Sequence, residues 1–433
     1  MTNEAFPMRW SQFWALALAL ALAVSALLAA CDSSPMERVG GHYDAPEIKP
    51  VISTESIQTL SAGQYTMNVD RDGWIERGDW IIDPSFPSER VALLHSGGLW
   101  VAGEQGGEKR ASAKQQRFQD RTNFKGIEID SVAAGVMYWG SSVNPSTEFA
   151  TNWLDSLGAP TDMSGIPKKI GSQMAAMVFG SQAENYDVSS SRLALSRPLE
   201  GLDVYQEIFA WDIAATDAFF IRFVLTNSSK ETMTNVRAAI KTDMDVGLIG
   251  IGGGCEGAGI FDNRVGFDSQ TGLSYVYSVP WTDNAPPESC FGFVSGYMIV
   301  DTPEGLSLGH HRKLDKHGGQ GGYGEEEMMT PEELFNTVHG LTIHGDPMVN
   351  PVTGESTLFA YDGNPLTGDG WVYPNSRDVR NMLGTEVFEL APGEQKEFVV
   401  AWVTVREAGL AAGITSILER ADTIRRTPGL WTR

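Results

Sequence analysis

The sequence predicts a mostly β protein: an antiparallel β-sandwich, as one body or two packed sandwiches, with a few short helices and a C-terminal helix. Three observations predict it. Strand-length apolar runs crowd the stretch from Val204 to Asp268, as VYQEIFAWDI, AFFIRFVLTN and NVRAAIKTD. In the second run Phe219, Ile221, Phe223 and Leu225 alternate with Phe220, Arg222, Val224 and Thr226, so one face is wholly apolar and the other mixed. The 47 glycines and 12 tryptophans in 433 residues suit turn-rich sheets with aromatic cores.

The first thirty residues read as a leader. After a short polar start ending in Arg9, Phe13 to Ala30 is apolar and broken only by Ser25. Leu28-Ala29-Ala30-Cys31 follows and resembles the bacterial lipobox, in which small residues admit a signal peptidase and the cysteine thiol takes a diacylglycerol. Residues 1–30 are therefore expected to be a signal peptide and Cys31 a lipidated N-terminus. Three acyl chains exceed the two that stable anchoring takes. The expected address is the extracytoplasmic side of the cell envelope, with inner and outer membrane both open. Residues 31–61, carrying Pro35, Pro46 and Pro50 without periodic pattern, read as a flexible tether.

The sandwich is expected over 62–408. Tyr65 to Ile82 and the short runs at 91–95 and 98–103 read as an antiparallel meander, with His95 in its core. Thr147 to Leu157 reads as a short helix ended by Gly158-Ala159-Pro160. Asn227-Ser228-Ser229-Lys230 is turn chemistry, with Val236, Ala238 and Ile240 on the return strand. Thr330-Pro331-Glu332-Glu333 starts a helix, with Thr as N-cap and Glu at N3. Glu386–Leu390 and Phe398–Val405, joined by Ala391-Pro392-Gly393-Glu394, read as a hairpin. In 409–433, Ile414, Ile417, Leu418, Ala421 and Ile424 form one helical stripe that docks on the sandwich.

A formal charge of −23 excludes nucleic acid and anionic lipid surfaces as partners and suits divalent cations. With Cys31 assigned, Cys255 and Cys290 remain as an even pair in an exported chain, the pattern of one disulfide. The first metal candidate is an acidic loop. Asp243 and Asp245 leave a strand end, and Asp262, Asn263 and Asp268 return with further hard oxygens, a set suited to Ca2+. It is not an EF-hand, and turn-forming aspartates are the plainer reading. A weaker set, His310, His311 and His317, offers imidazoles for zinc or copper, in a stretch that otherwise reads as a solvated loop. His339 and His344 join it only through the fold. No GxSxG, HExxH or Walker A motif occurs. Trp281 and Trp371 read as core packing before sugar platforms.

Gly97-Gly-Leu-Trp-Val, Trp153-Leu-Asp-Ser-Leu-Gly-Ala-Pro, Asp243-Met-Asp-Val-Gly, Gly363-Asn-Pro-Leu-Thr-Gly-Asp-Gly-Trp and Leu390-Ala-Pro-Gly-Glu together carry a resemblance. From about 70 to 406 the chain resembles a family of functionally uncharacterised exported proteins of environmental bacteria. Many of these end in an immunoglobulin-like module or a type-A C-terminal secretion-sorting domain. The present chain departs from them in having no such tail, with a lipid anchor expected in its place. The resemblance implies a β-rich surface protein and an acidic DxD at Asp243 and Asp245. It implies no activity.

Two functions follow. The first is a non-enzymatic envelope lipoprotein whose sandwich displays loops for a glycan or surface-protein ligand or acts as a scaffold. The alternative is a secreted polysaccharide hydrolase using paired carboxylates. A cleft with two carboxylates and an aromatic platform favours the enzyme, and convex loops without a cleft favour display.

Overall fold

The computed structural model describes residues 52–53, 57–81, 90–113, 124–126, 136–139, 155–166, 168–181, 197–211, 217–246, 248–250, 263–278, 290–302, 308–315, 330–375 and 379–432. Residues 49–433 form one compact unit. It is an antiparallel β-sandwich, as the alternation predicts.

The larger sheet has eleven strands among the described residues. Edge to edge its path runs Ile52–Ser53, Val136–Trp139, Gln173–Ser181, Leu202–Ala210, Ala218–Asn227, Gln395–Ala408, Cys290–Asp301, Leu273–Ser278 and Asn263–Asp268. The smaller has ten, on the path Leu308–Asp315, Val379–Thr385, Met233–Asp243, Ser96–Gln105, Ile75–Ile81, Tyr65–Asp70 and Ile57–Ala62. The sandwich begins before residue 62, because Ile57–Ala62 pairs in full with Tyr65–Asp70 inside the span expected to be tether.

The alternation along Ala218–Asn227 sorts its side chains between two cores. Phe219, Ile221, Phe223 and Leu225 enter the core between the sheets, with Trp402, Val400 and Phe398 of the paired strand. Phe220 and Val224 face outward, where Phe220 stacks between Phe209 and Trp431, and the Leu410–Arg425 helix covers the neighbouring strands Gln395–Ala408 and Cys290–Asp301. That helix buries Ile414, Ile417, Ala421 and Ile424, with Leu418 half-buried, so the predicted stripe docks on the sheet. The capping box also forms: Thr330 accepts from the Glu333 amide, and Glu333 accepts from Thr330, opening the Pro331–Val338 helix.

Three expectations need correction. The turn at Asn227-Ser228-Ser229-Lys230, read as leading to a return strand, and the turn at 391–394, read as a hairpin link, instead cross between sheets. Ala218–Asn227 lies in the larger sheet and Met233–Asp243 in the smaller; Phe388–Leu390 pairs with Met233–Asp243 while Gln395–Ala408 lies in the larger. The two crossings are bonded to each other. The buried Asn227 donates its amide to Glu394 O at 3.1 Å and its side chain to Leu390 O at 2.8 Å, and accepts from Gly393 N at 2.7 Å. His95 is exposed at the bend before Ser96–Gln105, not in the core. His310 and His311 lie on a buried strand, Leu308–Asp315, rather than a solvated loop. Of the Thr147–Leu157 helix only the turn Asp155–Leu157 is within the described residues.

Candidate functional site: a polar cleft over Arg222

Burying a charge inside a sheet is expensive unless it is paired. The outer face of the larger sheet carries such a group. Arg222 is 2% exposed, and Glu207, directly opposite it on the neighbouring strand, is 0% exposed. Arg222 Nη1 donates to Glu207 Oε1 at 3.1 Å and to Gly158 O at 2.9 Å. On its other side Nη2 and Nε reach Glu397 Oε2 at 2.6 and 3.2 Å. Glu397 is diagonal to Arg222, since Arg222 faces Val399 and Val224 faces Glu397 across the strand pair. Tyr205 Oη donates to Glu207 Oε2 at 2.8 Å.

Burial pushes the Glu207 carboxyl up, against the opposing pull of Arg222 and the Tyr205 hydroxyl. Burial likewise raises the Tyr205 hydroxyl, with the Glu207 charge adding to it. Gly158 is required where it stands: its φ is +101°, and an added Cβ would lie 2.9 Å from Val224 Cγ2.

Above this network opens a cleft of about 360 Å3. Among the described residues its polar lining is Asp155, Thr161, Arg222, Gln395, Lys396 and Glu397. The Glu397 side chain is 45% exposed, so the outer carboxylate of the arginine meets solvent. Gln395 Nε2 donates to Ser156 O at 2.8 Å and ties the Asp155–Leu157 turn to the cleft. Lys396 Nζ is held 2.8 Å from Glu394.

The sequence-predicted sites are distributed differently. Asp243 is buried and paired with Arg380 at 2.6 Å, on the adjacent strand. Beside it Thr242 bonds Asn381, which reaches Ser274 at 2.6 Å. Asp245 follows two residues on, half-buried, and Asn263 Nδ2 lies 3.4 Å from the intervening Met244 O. Asp243, Asp245 and Asn263 are thus neighbours. Asp268 is not with them: it sits at the far end of Asn263–Asp268, about 17 Å away along an extended strand. There it accepts from Thr271 N and Oγ1 at 2.7 and 2.5 Å, as a turn cap. Asp262 and Cys255 lie outside the described residues, while Cys290 opens a strand of the larger sheet.

His310 and His311, adjacent on one strand, point to opposite faces and do not share a site. His311 stacks on Phe267 at 4.8 Å and bonds Ala360 O at 2.7 Å, and burial lowers its imidazole to about 4. His310 packs beside Arg237, whose Nη1 also donates to His339 O at 2.8 Å; burial first, and then the Arg237 and Arg312 cations, hold His310 well below its usual range. His339 does join His310 through the fold, whereas His344 is exposed and His317 is outside the described residues. Trp371 packs half-buried on Tyr361 at 5.0 Å, and Trp281 is outside the described residues.

A repeat in the sequence becomes visible as structure. Asn350-Pro-Val-Thr-Gly-Glu and Asn364-Pro-Leu-Thr-Gly-Asp form two tips with matching hydrogen bonds. Each Asn Oδ1 accepts the amide two residues on at 2.9 Å, and each Asn O accepts from the Gly at 2.8 Å. Val352 and Leu366 stand exposed at equivalent positions.

No protein-family model matches the chain, and no curated protein sequence matches it. Among solved structures, a polysaccharide lyase aligns over 85% of this chain and 35% of its own, at 9% identity and a TM-score of 0.30. A provisionally assigned aldose 1-epimerase from Escherichia coli K12 aligns over 81% and 98%, at 9% identity and 0.28. A GH36 α-galactosidase from Geobacillus stearothermophilus aligns over 82% and 41%, at 9% identity and 0.28. The chain thus spans about a third of the lyase's length. At these TM-scores the likeness bears on neither site nor activity. What fold and site define is a class: a two-sheet antiparallel sandwich with an ionic cleft on its outer face.

Proposed function

We propose that this chain is a lipid-tethered binding protein of the bacterial envelope, whose sandwich takes a small polar ligand in the cleft over Arg222. The anchor at Cys31 rests on the lipobox-like leader; no helix among the described residues is long and apolar enough to cross a membrane. One observation carries the binding reading. The guanidinium at the cleft floor is fixed by Glu207 and Gly158 below and by the half-exposed Glu397 at the wall, so the polar lining is pre-set.

Binding fits this geometry better than hydrolysis. A glycosidase needs both carboxyls within reach of the scissile bond. Here Glu207, the carboxyl raised by burial, is fully buried with Arg222 between it and the cleft. The test is a ligand and glycan screen on the purified chain, with turnover of polysaccharide followed in parallel. Saturable binding weakened by Thr161→Ala supports the proposal. Polysaccharide cleavage lost in Glu397→Gln replaces it with the hydrolase.

A further inference from the structure

We infer that the turn at 162–166 docks on the lipid bilayer and inserts Met163 and Ile166 into its interface; the inference rests on the lipid tether proposed above. Among the described residues the exposed large apolar side chains are Met163, Ile166, Val349, Val352, Leu366 and Val387. Charge separates them. Val349, Val352 and Leu366 lie in residues 340–375, which carry Asp346, Glu355, Asp362 and Asp369 and neither lysine nor arginine. Val387 stands between Glu386 and Glu389. Met163 and Ile166 are instead followed by Lys168 and Lys169, with Asp162 the one carboxylate in residues 156–172. Lys168 is exposed, and Lys169 is half-buried with its Nζ donating to Ser172 O at 3.0 Å. The net charge of −23 repels the body as a whole from an anionic surface, so contact is confined to a place where apolar side chains stand beside cations.

The turn is built before any contact. Asp162 Oδ1 accepts the amides of Ser164 and Ile166 at 2.8 and 3.0 Å, so its charge is spent on the turn itself. Asp162 N donates to Ile166 O at 2.8 Å, and Lys168 N to Pro160 O at 2.9 Å. Met163 is fully exposed and Ile166 is 44% exposed. The apolar area thus already faces solvent, and its transfer into an interface orders no further backbone.

The tether brings the tip to the membrane. Ile52, Met137, Ala176, Glu207 and Arg222 lie in one cross-strand row of the larger sheet. The row spans about 19 Å, from the edge strand at Ile52 to Arg222. Arg222 donates to Gly158 O at 2.9 Å, and Asp162 is four residues further along the chain. Cys31 precedes Ile52 by about 20 residues, which as a coil extend about 25 Å. Held at that range, a tip too small to bind lipid from free solution stands at high local concentration beside the bilayer.

The experiment places the full lipidated chain in vesicles of phosphatidylethanolamine and phosphatidylglycerol that contain a trace of lipid with a diazirine on its acyl chain. After illumination, lipid adducts are mapped by peptide mass spectrometry. The expected result is adducts on the peptide holding 162–168 several-fold above those on the peptides holding 348–369. Met163→Ser combined with Ile166→Ser, both at exposed positions, is expected to bring them down to the level of 348–369. Lys168→Glu is expected to lower them more in these vesicles than in vesicles of phosphatidylcholine alone. Adducts no higher on 162–168 than on 348–369, in chain that stays with the vesicles through an alkaline wash, overturn the docking and leave the tether standing. Adducts that the double serine variant leaves unchanged overturn it as well. A chain that the wash removes overturns the tether and the docking with it.

Discussion

Arg222 and Arg380 look alike in isolation. Each guanidinium is 2% exposed, and each bonds a carboxylate on a strand that pairs with its own. They differ in what closes the far side. Arg380 faces Asp243, which is 3% exposed, so the pair is sealed between strands. Arg222 has a second carboxylate, Glu397, that is 45% exposed and lines a cleft. A pair buried on both sides serves to neutralise a buried charge. A pair open on one side keeps its geometry while its outer member meets a ligand. The acidic strand end that suggests a cation in the sequence is thus already supplied with a positive charge, and the arginine that looks incidental there sits at the floor of the cleft.

The largest test sets the two against each other. Arg380→Met removes the guanidinium from the buried Asp243 and is expected to cost about 3–5 kcal/mol in denaturant unfolding, much of it recovered by adding Asp243→Leu. Glu397→Gln leaves Arg222 its bonds to Glu207 and Gly158 and is expected to cost less than about 1 kcal/mol. Equal losses in the two variants break the distinction.

A second test uses another sealed group. His311 is fully buried and its folded value is lowered to about 4, below the unfolded value of about 6.5. The unfolded chain therefore binds the proton first. Stability from this group is complete above pH 6.5 and is lost as pH falls towards 4, by about 3 kcal/mol. His311→Gln should flatten that part of the stability profile measured by urea titration. An unchanged slope shows that other groups set it.

The smallest expected effect concerns calcium. Arg380 already balances Asp243, and Asp268 is a strand-length away, so EDTA is expected to leave the melting temperature unchanged. A drop that Asp245→Ala removes means that Asp245 and Asn263 hold an ion despite the arginine.

Local signals were legible in the sequence where a short window determines them. The period of two in Ala218–Asn227, the Thr330 capping box and the Ile414–Ile424 stripe depend on neighbours a few residues apart. Partner choice does not. Asn227-Ser228-Ser229-Lys230 carries the same turn chemistry whether the chain returns in its own sheet or passes to the other. Asp243 and Arg380 are 137 residues apart, and only strand register brings them together. Arg222 did leave a trace, a lone charge in an apolar strand, which asks for a partner before any is visible. The stretch HHRKLD misleads because its polarity suggests solvent, while the strand lies covered on both faces.

The knot of hydrogen bonds at Asn227 has a mechanical consequence. Because both crossovers meet there, the sheets cannot shear past one another until that side chain lets go of Leu390. A pull on one end of the chain would be shared by both layers and resisted at this latch, and Asn227→Ala should lower the force at which the body gives way.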